Sequence, residues 1–195
     1  MEQKRNLRPL WYVIAVSLVV FAGQQTHFAF QRLGGPVWLA WLFPINESAF
    51  EHIKMAVVTL PIMIIAIRLI DGIRGGALVA AFAVSLLVAF AIEQGVFYVF
   101  YWIMGGHNLI VSIILFVIGQ AAACTAAYFV AHRFGSWNPV WIVVTVLAAI
   151  HIAAMVATSY ATPRWEVYRD TEVNLYGLDA AEHYLENGHE HEGDH

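Results

Sequence analysis

Polar positions interrupt this chain too rarely for a soluble domain. No formal charge occurs in residues 9–31 or in residues 134–163. Residues 75–132 are 58 positions whose one formal charge is Glu93. A helix rises about 1.5 Å per residue and the bilayer core is about 30 Å thick, so such runs predict membrane-crossing helices. Five spans follow, over residues 9–30, 46–70, 77–97, 108–131 and 139–161. Between the first two, Gly34-Gly35-Pro36 breaks the chain and residues 37–43 form an apolar piece too short to cross. That piece is expected to be interfacial or re-entrant, with Trp38 and Trp41 at headgroup depth and Pro44 ending it. In the second span Lys54 and Arg68 are expected to snorkel to opposite interfaces, and Pro61 to kink the helix. Residues 68–76 form a tight polar turn. An aromatic cuff of Tyr98, Phe100, Tyr101 and Trp102 follows the third span, before Gly105-Gly106. No internal repeat is visible, and five spans do not divide into two equal halves, which argues against an inverted-repeat transporter.

The last 34 residues change character: nine acids, two arginines and four histidines over residues 162–195. The chain therefore reads as a transmembrane domain, residues 1–161, and an extramembrane tail, residues 162–195. Residues 178–185 predict a short surface helix with Asp179 as N-cap, Glu182 three positions on and Gly188 as the stop. Residues 189–195 are expected to be disordered when nothing is bound.

Composition agrees with this division. Charged residues make up 12% of the chain and apolar residues 60%, against about 25% charged in ordinary soluble domains. The net charge of −4, with no basic cluster beyond Lys4, Arg5 and Arg8, argues against a nucleic-acid partner. A single cysteine, Cys124, excludes an intrachain disulfide and any CxxC motif. The N-terminal apolar stretch lacks an A-x-A cleavage pattern and is read as a retained first helix. With the N-terminus inside, Lys4, Arg5, Arg8, Arg68, Arg74 and Arg133 lie on the cytoplasmic side. Arg32, Lys54, Arg164 and Arg169 then lie outside. This places the tail outside.

With an odd number of spans, the loops after spans one and three share a side with the tail. His27, Glu47, Glu51, His52, Glu93 and His107 all lie near that side. Glu93 is about 26 Å along its span and His27 at similar depth, whereas His151 is one layer deeper. These six residues form a candidate cation or proton site, because an intramembrane acid is costly unless paired or used. Each also has a plainer reading. Asn46 or Ser48 can cap the second helix, with Ser48 and Glu51 as a capping box and Glu47 near the helix dipole. Glu93 can pair with Lys54 or His27. His107 can simply lead into a helix capped by Asn108, and Gln120 and His151 can bridge helices. A carboxylate–imidazole shell suits Zn, Fe, Mn or Ni, and equally a proton relay. No HExxH, GxSxG, GxGxxG or Walker pattern is present. In the tail, His183, His189, His191 and His195 alternate with acids and suit Zn, Ni or Cu, or else form a solvated acidic segment.

The string Pro44-Ile45-Asn46-Glu47-Ser48-Ala49-Phe50-Glu51-His52-Ile53-Lys54 resembles the signature of a small bacterial membrane-protein family of unknown function. Gly119-Gln120, the Pro163…Asp170 string and Tyr176-Gly177 are similar to later parts of that family's pattern. The likeness spans roughly residues 10–178. It implies a five-span fold in the bacterial inner membrane and no activity.

The leading expectation is thus an all-α, polytopic bundle of five transmembrane helices with an interfacial segment and an acidic, His-rich tail. It would bind, and by extension transport, a cation or proton through Glu93, with Glu51 and His52 as partners, Glu47 beside them, and His27 or His107 as a lid. Two alternatives stay open. One is a membrane-embedded metal-dependent hydrolase, with a divalent transition metal such as Zn or Ni as cofactor. The other is a non-catalytic subunit that forms a homo-oligomer or larger complex. Its contact would be the small-residue face of the fourth span, Gly119, Ala122, Ala123, Ala126 and Ala127.

Overall fold

A computed structural model describes residues 8–106 and 108–187, and every regular element in them is helical. Helix α1 covers Arg8–His27 and is followed by a single turn, α2, Ala29–Arg32. A 3-10 turn, Val37–Leu39, leads to α3, Ala49–Ile70. Helix α4, Gly76–Phe90, passes through a π-helical turn, Ala91–Val96, into α5, Phe97–Met104. Helices α6, Leu109–Arg133, and α7, Pro139–Tyr160, complete the bundle, and α8, Gly177–Asn187, closes the described chain.

Four of these helices are long and apolar enough to cross a membrane: Ala49–Ile70, Gly76–Met104, Leu109–Arg133 and Pro139–Tyr160. Helix α1 is 20 residues long, but its last turn, Gln24 to His27, is polar. Side chains set three of the helix starts, two of them as the sequence suggests. Ser48, Asn108 and Asn138 each accept a hydrogen bond from the amide three positions on. The expected capping box is only half formed, because the Glu51 carboxylate reaches Ile45 N–H and Lys54 instead of Ser48.

Two local expectations are corrected. The third apolar helix does not stop at Phe97: the π-helical turn takes up Gly95, and the helix runs on to Met104, where Gly105 caps it at φ +73°. The aromatic cuff is therefore helical. Lys54 does not snorkel: its side chain is fully buried, ion-paired to Glu51, and donates to Ala40 O at 2.6 Å. The chain before α3 folds over the helix start and supplies the carbonyl, so Lys54 needs no interface.

Small side chains bring α4 and α6 together. Ala81, Ala83 and Ala89 on one, and Ala123 and Ala127 on the other, are buried in a single apolar core with Leu60, Met63 and Leu86. Part of the small-residue face of α6 is thus spent within the chain. A second cluster joins Phe30, Leu39, Ala40 and Ile45 to Ala181, so α8 packs on the segment between α2 and α3. Gly35, at φ +67°, leaves room there for Leu185. Helix α8 begins at Gly177, two positions before the expected cap. The expectations for residues 188–195 lie outside the described residues.

Candidate metal centre and its two cavities

The segment 45–48 is tied down from both sides before α3 begins. Ile45 N–H donates to Glu51 Oε2 at 3.0 Å, and Ser48 N–H donates to Asn46 Oδ1 at 2.9 Å. Asn46 Nδ2 donates to Gly177 O at 3.1 Å, which fastens the start of α8 to this segment. Glu47 N–H donates to Asp170 Oδ2 at 2.7 Å, and Thr171 Oγ1 donates to Glu47 O at 3.2 Å. The backbone of Glu47 is therefore held on both its polar groups.

Its carboxylate meets two imidazoles. His27 Nε2, from the last turn of α1, lies 3.2 Å from Glu47 Oε1, and His52 Nε2, from α3, lies 3.6 Å from Oε2. The two rings stack, 5.0 Å between centroids and 29° between planes. His52 Nδ1 donates to Ser48 O at 2.8 Å, which leaves Nε2 to face the carboxylate. His27 Nδ1 is buried without a hydrogen-bond partner among the described residues. Burial pushes the Glu47 carboxyl upward, but hydrogen bonds and charge from His27 and His52 outweigh it. The group is held well below the ordinary carboxylate range.

The ligating atoms of His27, Glu47 and His52 all lie within 4.8 Å of one another. Two ligands on one zinc-like ion, each about 2.0–2.2 Å from it, stand about 3.0–3.6 Å apart. The two imidazole–carboxylate separations fall in that range, each to its own carboxylate oxygen. Two imidazoles and one carboxylate also form a set that suits Zn or Fe(II) and leaves coordination positions open.

Asp170 is the support the sequence did not single out. It is fully buried and accepts from Glu172 N–H at 2.8 Å, from Val173 N–H at 2.9 Å and from the Tyr184 hydroxyl at 3.1 Å, besides Glu47 N–H. Burial, with Asp170 and Glu172 nearby, raises the Tyr184 phenol above its usual range and keeps it a donor. Asp170 could have been found only through the Pro163…Asp170 string, since one acid among nine in an acidic segment gives no other signal.

Two cavities meet at the cluster. The outer, about 440 Å³, is lined by His27, Glu47 and His52 together with Phe28, Ile113 and Phe116. The inner, about 40 Å³, lies between Glu47, His52 and Glu93, with Phe97 and Leu115 on its wall. Met55, Ser112 and Phe116 border both. Glu93 sits in the π-helical turn and is only 7% exposed. Gln120 Nε2 donates to Glu93 Oε1 at 2.8 Å, while Oε2 is buried with no partner among the described residues. Gly119 permits this approach: a Cβ there would lie 2.9 Å from Glu93 Cγ and Oε1. Gln94 holds the turn to α3 by donating to Ala49 O.

Of the residues singled out in the sequence, His27, Glu47 and His52 come together and Glu93 faces two of them across the inner cavity. Glu51 does not join them; it serves Lys54 and Ile45 N–H. Gln120 bridges to Glu93, whereas His151 lies against the rings of Phe90 and Phe50, at 4.2 and 6.1 Å between centroids. His183 contacts Asn187 on α8 and takes no part in the cluster. His107, His189, His191 and His195 lie outside the described residues.

Among known proteins, the model of a family of unknown function, DUF6512, matches residues 1–178. No curated protein matches the chain. No solved structure matches it either.

Proposed function

The chain belongs to this family of unknown function, and from that premise we propose that it is a membrane-embedded metal-binding protein whose centre is His27, Glu47 and His52. The observation that carries the reading is the mutual approach of three ligating atoms from α1, the loop before α3, and α3 itself. A hydrogen bond from the second ring nitrogen of His52 to a backbone carbonyl fixes its tautomer, as in many metal sites. Zn is the preferred ion, with Fe(II) or Ni next. In this reading α1 is a fifth crossing, the host membrane is the bacterial inner membrane, and the N-terminus is cytoplasmic. The cluster and α8 then face outward. A binding centre is proposed in place of a conduit. One to two turns beyond Glu93 the bundle is filled by Leu86, Ala89, Ala123 and Cys124, all fully buried in one core cluster.

The test is metal analysis of the full chain purified in detergent, followed by zinc titration of the metal-free protein. One zinc per chain is expected, lost in His52→Ala and in Glu47→Gln. Undiminished zinc in both variants would refute the assignment.

A further inference from the structure

The two cavities differ in the way a hydrolytic site needs. The inner one, about 40 Å³, is large enough for a few waters at about 10–15 Å³ each, and it joins the cluster to a buried, half-partnered carboxylate. The outer one, about 440 Å³, has the size of a small-molecule site and an apolar wall of Phe28, Met55, Leu109, Ile113 and Phe116. Its rim residues on α6 belong to the outer surface of the bundle: Leu109 is 60% exposed and Ile113 45%. On a membrane protein that surface is bathed in acyl chains. The opening therefore admits an apolar chain sideways from the bilayer, between α1 and α6, with its polar end at the cluster.

We propose that the centre hydrolyses an ester or amide carried by a long acyl chain, and that Glu93 is its proton acceptor. This rests on the metal reading above. His27, Glu47 and His52 would hold the ion, which would acidify a water; that water would give a proton to the Glu93 carboxylate through the inner cavity, and its oxygen would form a bond to the carbonyl carbon. The bond from that carbon to the leaving oxygen or nitrogen then breaks, and the leaving group takes the proton back from Glu93. One water is consumed and no redox partner is required. Gln120 and Gly119 position the carboxylate: Gln120 holds Oε1 and leaves Oε2 without a hydrogen-bond partner among the described residues. The π-helical turn carries Glu93, and such turns recur at functional sites because the extra residue re-aims a side chain.

The probes are the 16-carbon and 4-carbon p-nitrophenyl acyl esters, with zinc-loaded full-length protein in detergent. The long ester is expected to be turned over with a kcat/KM at least about tenfold above that of the short one. Glu93→Gln is expected to lower kcat about 100- to 10,000-fold while zinc content stays at one per chain. Filling the outer cavity with Ile113→Trp, or with the milder Ile113→Phe, is expected to narrow the long-to-short preference. Stoichiometric zinc with no turnover of either ester overturns the proposal, as does full activity in Glu93→Gln. Absence of zinc instead refutes the metal reading itself, so the two failures are distinguishable.

Discussion

Glu47 and Asp170 stand 123 positions apart in the chain, yet the amide of the first donates to the carboxylate of the second at 2.7 Å. This bond joins the candidate metal ligand to the segment that follows the last long helix. The site is thereby built from α1, α3 and the C-terminal segment together. Asp170→Ala removes the acceptor for three backbone amides and for Tyr184, all of them buried or half-buried. We expect a loss of about 3 kcal/mol, read as a lower unfolding temperature in detergent. Zinc affinity is expected to fall about 10- to 100-fold in the milder Asp170→Asn, which keeps the shape of the acceptor.

Glu47 also makes stability depend on pH. Its folded carboxyl titrates well below the ordinary value of 4.5, because His27 and His52 outweigh the cost of burial. A depressed pKa means that stabilisation is complete above the ordinary range and is lost as pH falls through the folded value. Metal-free wild type should therefore lose stability on acidification from pH 5 downward, relative to Glu47→Gln. Parallel thermal unfolding of both proteins between pH 3 and pH 7 checks this. A constant difference across that range would contradict the pairing.

The Lys54–Glu51 pair should behave as a buried ion pair. Lys54→Met leaves the Glu51 carboxylate buried with only Ile45 N–H, and we expect it to cost about 3–5 kcal/mol. The double variant Glu51→Leu/Lys54→Met should recover most of that loss, because no unpaired charge remains. A double-mutant cycle on unfolding free energies reads the coupling directly.

Much of the helical frame is legible in the sequence. Ser48 and Asn108 mark two helix starts in the sequence, since those side chains satisfy orphan amides wherever the helix packs. The convergence of His27, Glu47 and His52 is not written there. Depth along a span can be counted, but which helix faces which depends on small-residue contacts such as those between α4 and α6. The roles of Glu51 and Lys54 were hidden for a similar reason: the loop over the start of α3 creates their partners, and loops leave no periodic trace.

Topology follows from the odd span count of the proposed arrangement. Cysteines introduced at Gly34 or Gly105 should react with an impermeant thiol reagent from the periplasm, and one at Gly72 only from the cytoplasm. The native Cys124 is buried and should give no background. Labelling of Gly34 and Gly105 from opposite sides would eliminate the five-span arrangement.

The histidines of the tail can be separated from the centre by truncation. A chain ending at Asn187 keeps His27, Glu47, His52, Asp170 and Tyr184 and loses His189, His191 and His195. Calorimetric zinc titration should retain the tighter site in the shortened chain. Any weaker additional binding should vanish with the tail, and identical isotherms would exclude the tail from metal capture.

The π-helical turn at Ala91–Val96 sets an angular phase. Each residue of a regular helix advances the side-chain direction by about 100°, and a π turn absorbs one residue without that advance. Glu93 and Phe97 both wall the inner cavity across this turn. Winding the same residues as a regular helix, with none removed, would swing Phe97 and all of α5 roughly 100° relative to Glu93. Carboxylate and aromatic wall could then no longer face one space. At this point the chamber depends on how the backbone winds as much as on which side chains line it.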